Sequence, residues 1–209
     1  GKMIELIEAT IRLITDKVTT VDTVFFHGRA EGDDVGLFEL VSKLHHDGFI
    51  RHPVLINGSE SGTLEPGGTV HSYPGVAAYR RHLEELNVHT AVVSPGLNTL
   101  EENFAFLAAA KIRGWRSAII VAQPHQLLRI FLGALRVMEK ENYLMALYAV
   151  CPSQVDWLRE VYGSQGQKFI PRYGHVAEEY KRIEKYQAAG DLASTDELLQ
   201  YLNKTRVFL

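Results

Sequence analysis

Asn98, Thr99, Glu102 and Asn103 crowd into "SPGLNTLEENFAFLAAA", where a strand-like apolar run gives way to a helix-like one. Thr99 followed three residues later by Glu102 matches a capping box, in which hydroxyl and carboxylate satisfy the free amides of a first helical turn. The box accounts for neither Asn98 nor Asn103, and amide side chains beside a helix N-terminus also hydrogen-bond ligands. Further along, "AQPHQLLR" carries Gln123, His125 and Arg129. The last two stand i, i+4 on one helical face, a pairing of acid/base group and anion clamp. Toward the N-terminus, "HGRAEGDD" offers Gly28 and Gly32 for a backbone that curls around a ligand, and Arg29 for an anion. It lacks the G-x-G-x-x-G spacing of a dinucleotide site. "NGSESGTLEPGGTVHSYPG" opens with Gly58, Ser59, Glu60, Ser61 and Gly62 and carries Gly67 and Gly68 in its middle. Loops of this length are functional or mobile, and its hydroxyls and amides suit a polar ligand. Cys151 in "VCPSQ" has no base at catalytic spacing and reads as a packed thiol. The histidines show no H-E-x-x-H spacing, and the neighbours His45 and His46 point about 100° apart on a helix, so no metal site is expected.

These residues need elements to hold them. "MIELIEATIRLITDKV" places Ile4, Ile7, Ile11, Ile14 and Val18 on one stripe, a lead-in helix within residues 1–18. Five strand-helix units fill residues 22–162: "DTVFFHG" into "VGLFELVSKLHHDG", "HPVLINGSESG" into "PGVAAYRRHLEELN", "HTAVVSPGLN" into "TLEENFAFLAAAKIRG", "RSAIIVAQPH" into "QLLRIFLGALRVMEK", and "NYLMALYAVCPS" into "QVDWLREVYG". Two further helices fall within residues 174–203, separated by "AAGDLAS". Short continuous apolar strands alternating with helices of about 10–15 residues imply a parallel sheet covered on both faces. The expected fold is a single α/β domain over residues 1–209: a three-layer doubly wound, mainly parallel sheet, Rossmann-like, with C-terminal helices. Ligands of such folds sit outside the carboxyl ends of the strands, where all four polar stretches fall.

Composition narrows the function. With 22 basic and 25 acidic residues and a net charge of −3, the chain has no broad basic field for a phosphate backbone, which argues against nucleic acid. Apolar runs such as "SAIIVA" fall short of the roughly 18 residues that cross a bilayer, which argues against a membrane partner. No signal-peptide pattern opens the chain and Cys151 is its one cysteine, so a cytoplasmic protein is expected.

In order along the chain, the glycine-bearing loop after the first strand, "NGSESG", "NTLEEN" and "VAQPHQLLR" resemble the YdcF-like and SanA-like domain family over about Asp22 to Val150. The most specific part is Asn98, Thr99, Glu102 and Asn103, followed by His125 and Arg129. Leu100 and Glu101 both follow Thr99, so either Glu101 or Glu102 takes the family's acidic position. The resemblance implies a Rossmann-like domain with S-adenosylmethionine as a cofactor or ligand, and two jobs for the motif: Thr99 and Glu102 cap, while Asn98 and Asn103 face the ligand. The expected function is binding of a small metabolite, nucleotide-like or S-adenosylmethionine. The contact set is Gly28, Arg29, Gly58, Ser59, Glu60, Ser61, Asn98, Thr99, Glu102, Asn103, Gln123, His125 and Arg129. The alternative is an enzyme of hydrolase or group-transfer type acting on a small polar or phosphorylated metabolite, with His125 and Arg129 in the site.

Overall fold

A computed structural model describes residues 1–30, 32–62, 73–163 and 168–209. Five short strands, β1 (Thr23–Phe26), β2 (Val54–Asn57), β3 (Thr90–Val93), β4 (Ser117–Val121) and β5 (Ala146–Val150), pair in parallel in the order β3-β2-β1-β4-β5. Register is fixed by pairs such as Phe25 with Leu55 and Val24 with Ile119. The strands are apolar because helices cover both faces of the sheet, least completely at edge strand β3, where Val92 is exposed, and alternate residues enter opposite cores. Phe25, Leu55, Ala118, Ile120 and Leu147 face one core; Val24, Phe26, Val54, Ile56 and Ile119 face the other.

The second core is closed by α2 (Leu37–His46) and α3 (Val76–Glu85) through Phe38, Val41, Tyr79 and Leu83. The first is closed by α4 (Thr99–Arg113) and α5 (Pro124–Glu141) through Phe106, Leu107, Leu127 and Phe131, with Phe25 stacked on Phe106 at 5.3 Å. Burying each such side chain stabilises the fold by about 1.5–3 kcal/mol. Three layers result, with helices on both faces of a parallel sheet. No helix among the described residues is long and apolar enough to cross a membrane.

The lead-in helix, α1, is Lys2–Ile14, and it packs with a different face from the one its isoleucine stripe suggests. Leu6, Ala9 and Leu13 meet the first core, whereas Ile4 is 68% exposed and Ile7 and Ile11 also face outward. Asp16, just beyond α1, accepts the Ala149 N–H of edge strand β5 at 3.0 Å and pairs with Arg206 at 2.7 Å. The Tyr201 hydroxyl accepts the Leu147 N–H of the same strand at 2.7 Å. These bonds occupy edge amides that would otherwise invite another strand.

The fifth unit differs from expectation after its strand. "QVDWLREVYG" forms no helix: it turns, then pairs β6 (Glu160–Tyr162) antiparallel with β7 (Phe169–Pro171). Asp156 Oδ1 accepts the N–H groups of Leu158 and Arg159 at 3.1 and 3.2 Å, a local turn that competes with helical hydrogen bonds. The two C-terminal helices are α6 (Val176–Ala188) and α7 (Thr195–Gln200), the latter opened by a Ser194/Glu197 capping box.

Candidate functional site

The chain leaves β1 at His27 and Gly28. Gly28 is required by space, since a β-carbon there would stand 2.9 Å from the Tyr73 ring. Its N–H donates to Glu102 Oε2 at 2.7 Å, and Asn57 Nδ2 donates to the same oxygen at 3.1 Å. Asn57 ends β2 and is saturated: its Nδ2 also donates to Gly96 O, and its Oδ1 accepts from the N–H groups of Ser59 and Gly96. One asparagine thereby ties the loops after β2 and β3 together, and Glu102 ties both to the loop after β1. His27 Nε2 donates to Asn103 Oδ1 at 2.7 Å, and burial pushes this imidazole down to about 3, a neutral ring.

These bonds frame a cavity of about 290 Å³ at the carboxyl edge of the sheet, beside the point where the strand order reverses at β1 and β4. Arg29, Asp33, Glu102, Asn103, Arg129 and Arg182 are its principal polar lining, with Leu97, Tyr186 and Leu192 as apolar wall. Burial pushes the Glu102 carboxyl up to about 7, against the opposing pull of Arg29 and of the Gly28 and Asn57 donors. Burial also raises Asp33, whose Oδ2 accepts from Gln126 Nε2 at 3.0 Å. Arg129 is committed elsewhere: its Nε donates to Glu179 Oε2 at 2.6 Å and its Nη1 to Thr99 Oγ1 at 3.2 Å. Glu179 also takes Arg182, through Oε1 at 3.2 Å.

Arg29 is different. It is buried, yet Nε and Nη2 meet no acceptor among the described residues, and burial pulls the guanidinium below its ordinary value. Compared with protein-family models and with curated proteins, the chain matches none. The site accordingly stands on its own geometry.

The capping register differs by one residue from the expected box. Asn98 is the N-cap of α4: its Oδ1 accepts the Glu101 N–H at 2.9 Å and its Nδ2 donates to Glu101 Oε2 at 2.9 Å. Thr99 and Glu102 do not cap. Thr99 holds Arg129, and Glu102 rather than Glu101 lines the cavity, where it accepts the Gly28 N–H. Asn-x-x-Glu satisfies the same physics as Thr-x-x-Glu, and the two patterns overlap in "NTLEE". Asn98→Ala should therefore lower stability by about 1 kcal/mol, whereas Asn98→Asp, which keeps the capping oxygen, should cost less than half of that. Urea denaturation of both variants checks this, and an Asn98→Ala variant as stable as the wild type would remove Asn98 as the cap.

Gly28, Arg29, Asn98, Thr99, Glu102, Asn103 and Arg129 line the cavity together. The other expected contacts lie elsewhere. Gly58 fits because a β-carbon there would stand 2.2 Å from the Val93 carbonyl, and Ser59 is buried with its hydroxyl donating to Gly96 O. Glu60 and Ser61 are exposed on the flank of that loop. Residues 63–72, with Gly67 and Gly68, lie outside the described residues. Gln123 Nε2 is used by the carbonyls of Asp33 and Val35. His125 lines a second cavity of about 140 Å³ between α1, α5 and α6, against Trp157 at 5.7 Å, and burial pushes it down to about 4. Cys151 is half-buried, and burial raises its thiol, against a nucleophilic role.

Asp33, Asn57, Arg182 and Tyr186 were not singled out as contacts by sequence reasoning. Asn57 carried a signal, a lone amide closing an otherwise apolar strand. Arg182 and Tyr186 carried none, because "EEYKRIEKY" reads as a solvated face until α6 is known to pack on α5 beside the cavity.

Proposed function

We propose that this protein binds a small polar metabolite, nucleotide-like or S-adenosylmethionine-like, in the cavity at the carboxyl edge of its sheet, and that it works in the cytoplasm. The observation that carries this reading is the convergence of the loops after β1 and β3 with α5 and α6 on one cavity of about 290 Å³ lined by Arg29, Arg129 and Arg182. Concave sites with a few convergent polar groups in an apolar wall are the usual form of small-ligand sites. The residues fit the charged ends of both ligand types: guanidinium groups suit a phosphate or carboxylate, Asp33 and Asp191 suit an ammonium or hydroxyl, and Tyr186 with Leu97 and Leu192 suits a flat ring. The resemblance of "NTLEEN" and "VAQPHQLLR" to the YdcF-like family points the same way.

A second reading is an enzyme of hydrolase or group-transfer type acting on a small polar or phosphorylated metabolite. It is favoured by Glu102, a buried carboxyl at about 7 that lines the cavity and is poised to give or take a proton near neutrality. His125, outside the cavity, is not the acid/base group in that reading. Melting curves with millimolar S-adenosylmethionine and adenine nucleotides test binding, because a ligand held at 100 times its Kd stabilises the folded state by about 2.7 kcal/mol. A flat response to both, with no small molecule retained in native mass spectra of freshly purified protein, would remove the proposal. Recovery of a chemically altered ligand after incubation would select the enzyme.

A further inference from the structure

We infer that Arg29 is the anion-recognising residue of the cavity and that the ligand presents it with an oxyanion, the phosphate or carboxylate of a small metabolite. The inference rests on the binding reading above and names the chemistry that reading leaves open. Three guanidinium groups line the cavity, and two are already served. Arg129 and Arg182 both bond Glu179, and Arg129 also bonds Thr99. Arg29 has no carboxylate within ion-pairing distance among the described residues, and its Nε and Nη2 have no acceptor there. Those two nitrogens share one edge of the guanidinium plane, the edge that takes a carboxylate or phosphate through two parallel hydrogen bonds.

A buried cation with unmet donors is costly, and a fold keeps one where something outside the chain completes it. The backbone around Arg29 is firmly set: its N–H donates to the Tyr79 hydroxyl at 3.0 Å, and its carbonyl accepts from that hydroxyl at 3.2 Å. The side chain starts from a fixed backbone and is buried, with Arg29 6% exposed. The N-terminal turn of α4, residues Asn98 to Leu100, lines the same cavity and adds the positive end of a 15-residue helix. Asp33 and Glu102 are the nearby acids. Burial holds both carboxyls above their ordinary range, so an entering anion meets less negative charge than the formal count implies.

The test measures oxyanion affinity and stability on the same proteins. Inorganic phosphate, acetate and neutral adenosine are titrated calorimetrically into the full chain, into Arg29→Met and into Arg29→Lys, at matched ionic strength. At least one oxyanion should bind the wild type saturably. Arg29→Met should weaken it tenfold or more, and Arg29→Lys, which keeps the charge without the fork, should fall between. In ligand-free buffer Arg29→Met should melt at or above the wild-type temperature, because it replaces an unserved buried charge with an apolar chain of similar length. Arg29→Met that melts lower or fails to fold would overturn the inference, since the guanidinium would then be a structural brace. Equal oxyanion affinity in all three proteins would overturn it as well. Adenosine binding without oxyanion binding would leave the proposed function standing and remove the role of Arg29; no binding of any probe would also overturn the inference, while the proposed function rests on the S-adenosylmethionine and nucleotide melts.

Discussion

Glu179→Ala is expected to lower stability by about 3–5 kcal/mol, which in a chain of this size is a fall of about 6–20 °C in melting temperature. Glu179 sits on α6 and is buried against α5, with Arg129 Nε at 2.6 Å on one oxygen and Arg182 Nη1 at 3.2 Å on the other. Burial alone would pull Arg129 down, but the Glu179 carboxylate outweighs it and leaves the guanidinium above its ordinary value. Deleting the carboxylate strands a buried cation beside Arg29, a second buried cation with unmet donors, so the loss combines desolvation with repulsion. The pair as a whole is worth far less than the damage done by halving it. Arg129→Met combined with Glu179→Leu should recover most of the stability that Glu179→Ala loses, because well-packed apolar groups replace buried ion pairs at little cost. Denaturant melts of the three proteins decide the matter. A loss below about 1 kcal/mol for Glu179→Ala would mean that water already screens the pair.

The sheet was legible because its signal is strong and local. "TVFF", "VLIN" and "SAIIV" are continuous apolar runs whose residues are all or nearly all buried, as strands covered on both faces must be. The misread elements are those where a side chain or a neighbour overrides periodicity. Asp156 turns a stretch whose Val155, Leu158 and Tyr162 have helical spacing, and the isoleucine stripe of α1 faces outward because the sheet takes Leu6, Ala9 and Leu13 instead. Within the site, "NTLEEN" was found by type and spacing and four of its polar residues line the cavity, but the cap is Asn98 rather than Thr99. Asn98 caps, Glu102 joins three loops, and Asn103 bonds His27 across 76 residues of sequence. The last two roles depend on which loop lies opposite, and no local pattern encodes that. Arg29 could be named from its loop, but the absence of a partner for its guanidinium among the described residues is a property of the folded cavity alone.

The consequence of that buried charge balance can be measured through Glu102. Its carboxyl stands at about 7 in the folded protein against an ordinary 4.5, so the folded state holds this proton more tightly than the unfolded state. Stability from this group is fully present below 4.5, declines as the pH rises, and is gone above about 7. At about 1.4 kcal/mol per pKa unit, the loss across that window is on the order of 3 kcal/mol. Two histidines act in the opposite sense. His27 and His125 are pushed from an ordinary 6.5 down to about 3 and about 4, so their stability is present above 6.5 and lost as the pH falls toward those values. The wild-type curve therefore mixes opposing slopes, and the difference from Glu102→Gln isolates one of them. The amide introduced by Glu102→Gln keeps an oxygen for Gly28 N–H and Asn57 Nδ2 but cannot ionise. Relative to wild type, the variant should gain on the order of 3 kcal/mol between pH 4.5 and 7 and hold that gain at pH 8, whatever constant offset its new amide nitrogen imposes. Urea melts at pH 4.5, 6, 7 and 8 give the difference curve. A flat line would place Glu102 at an ordinary value, and a line falling with pH would mean that Arg29 stabilises its charge enough to reverse the effect of burial.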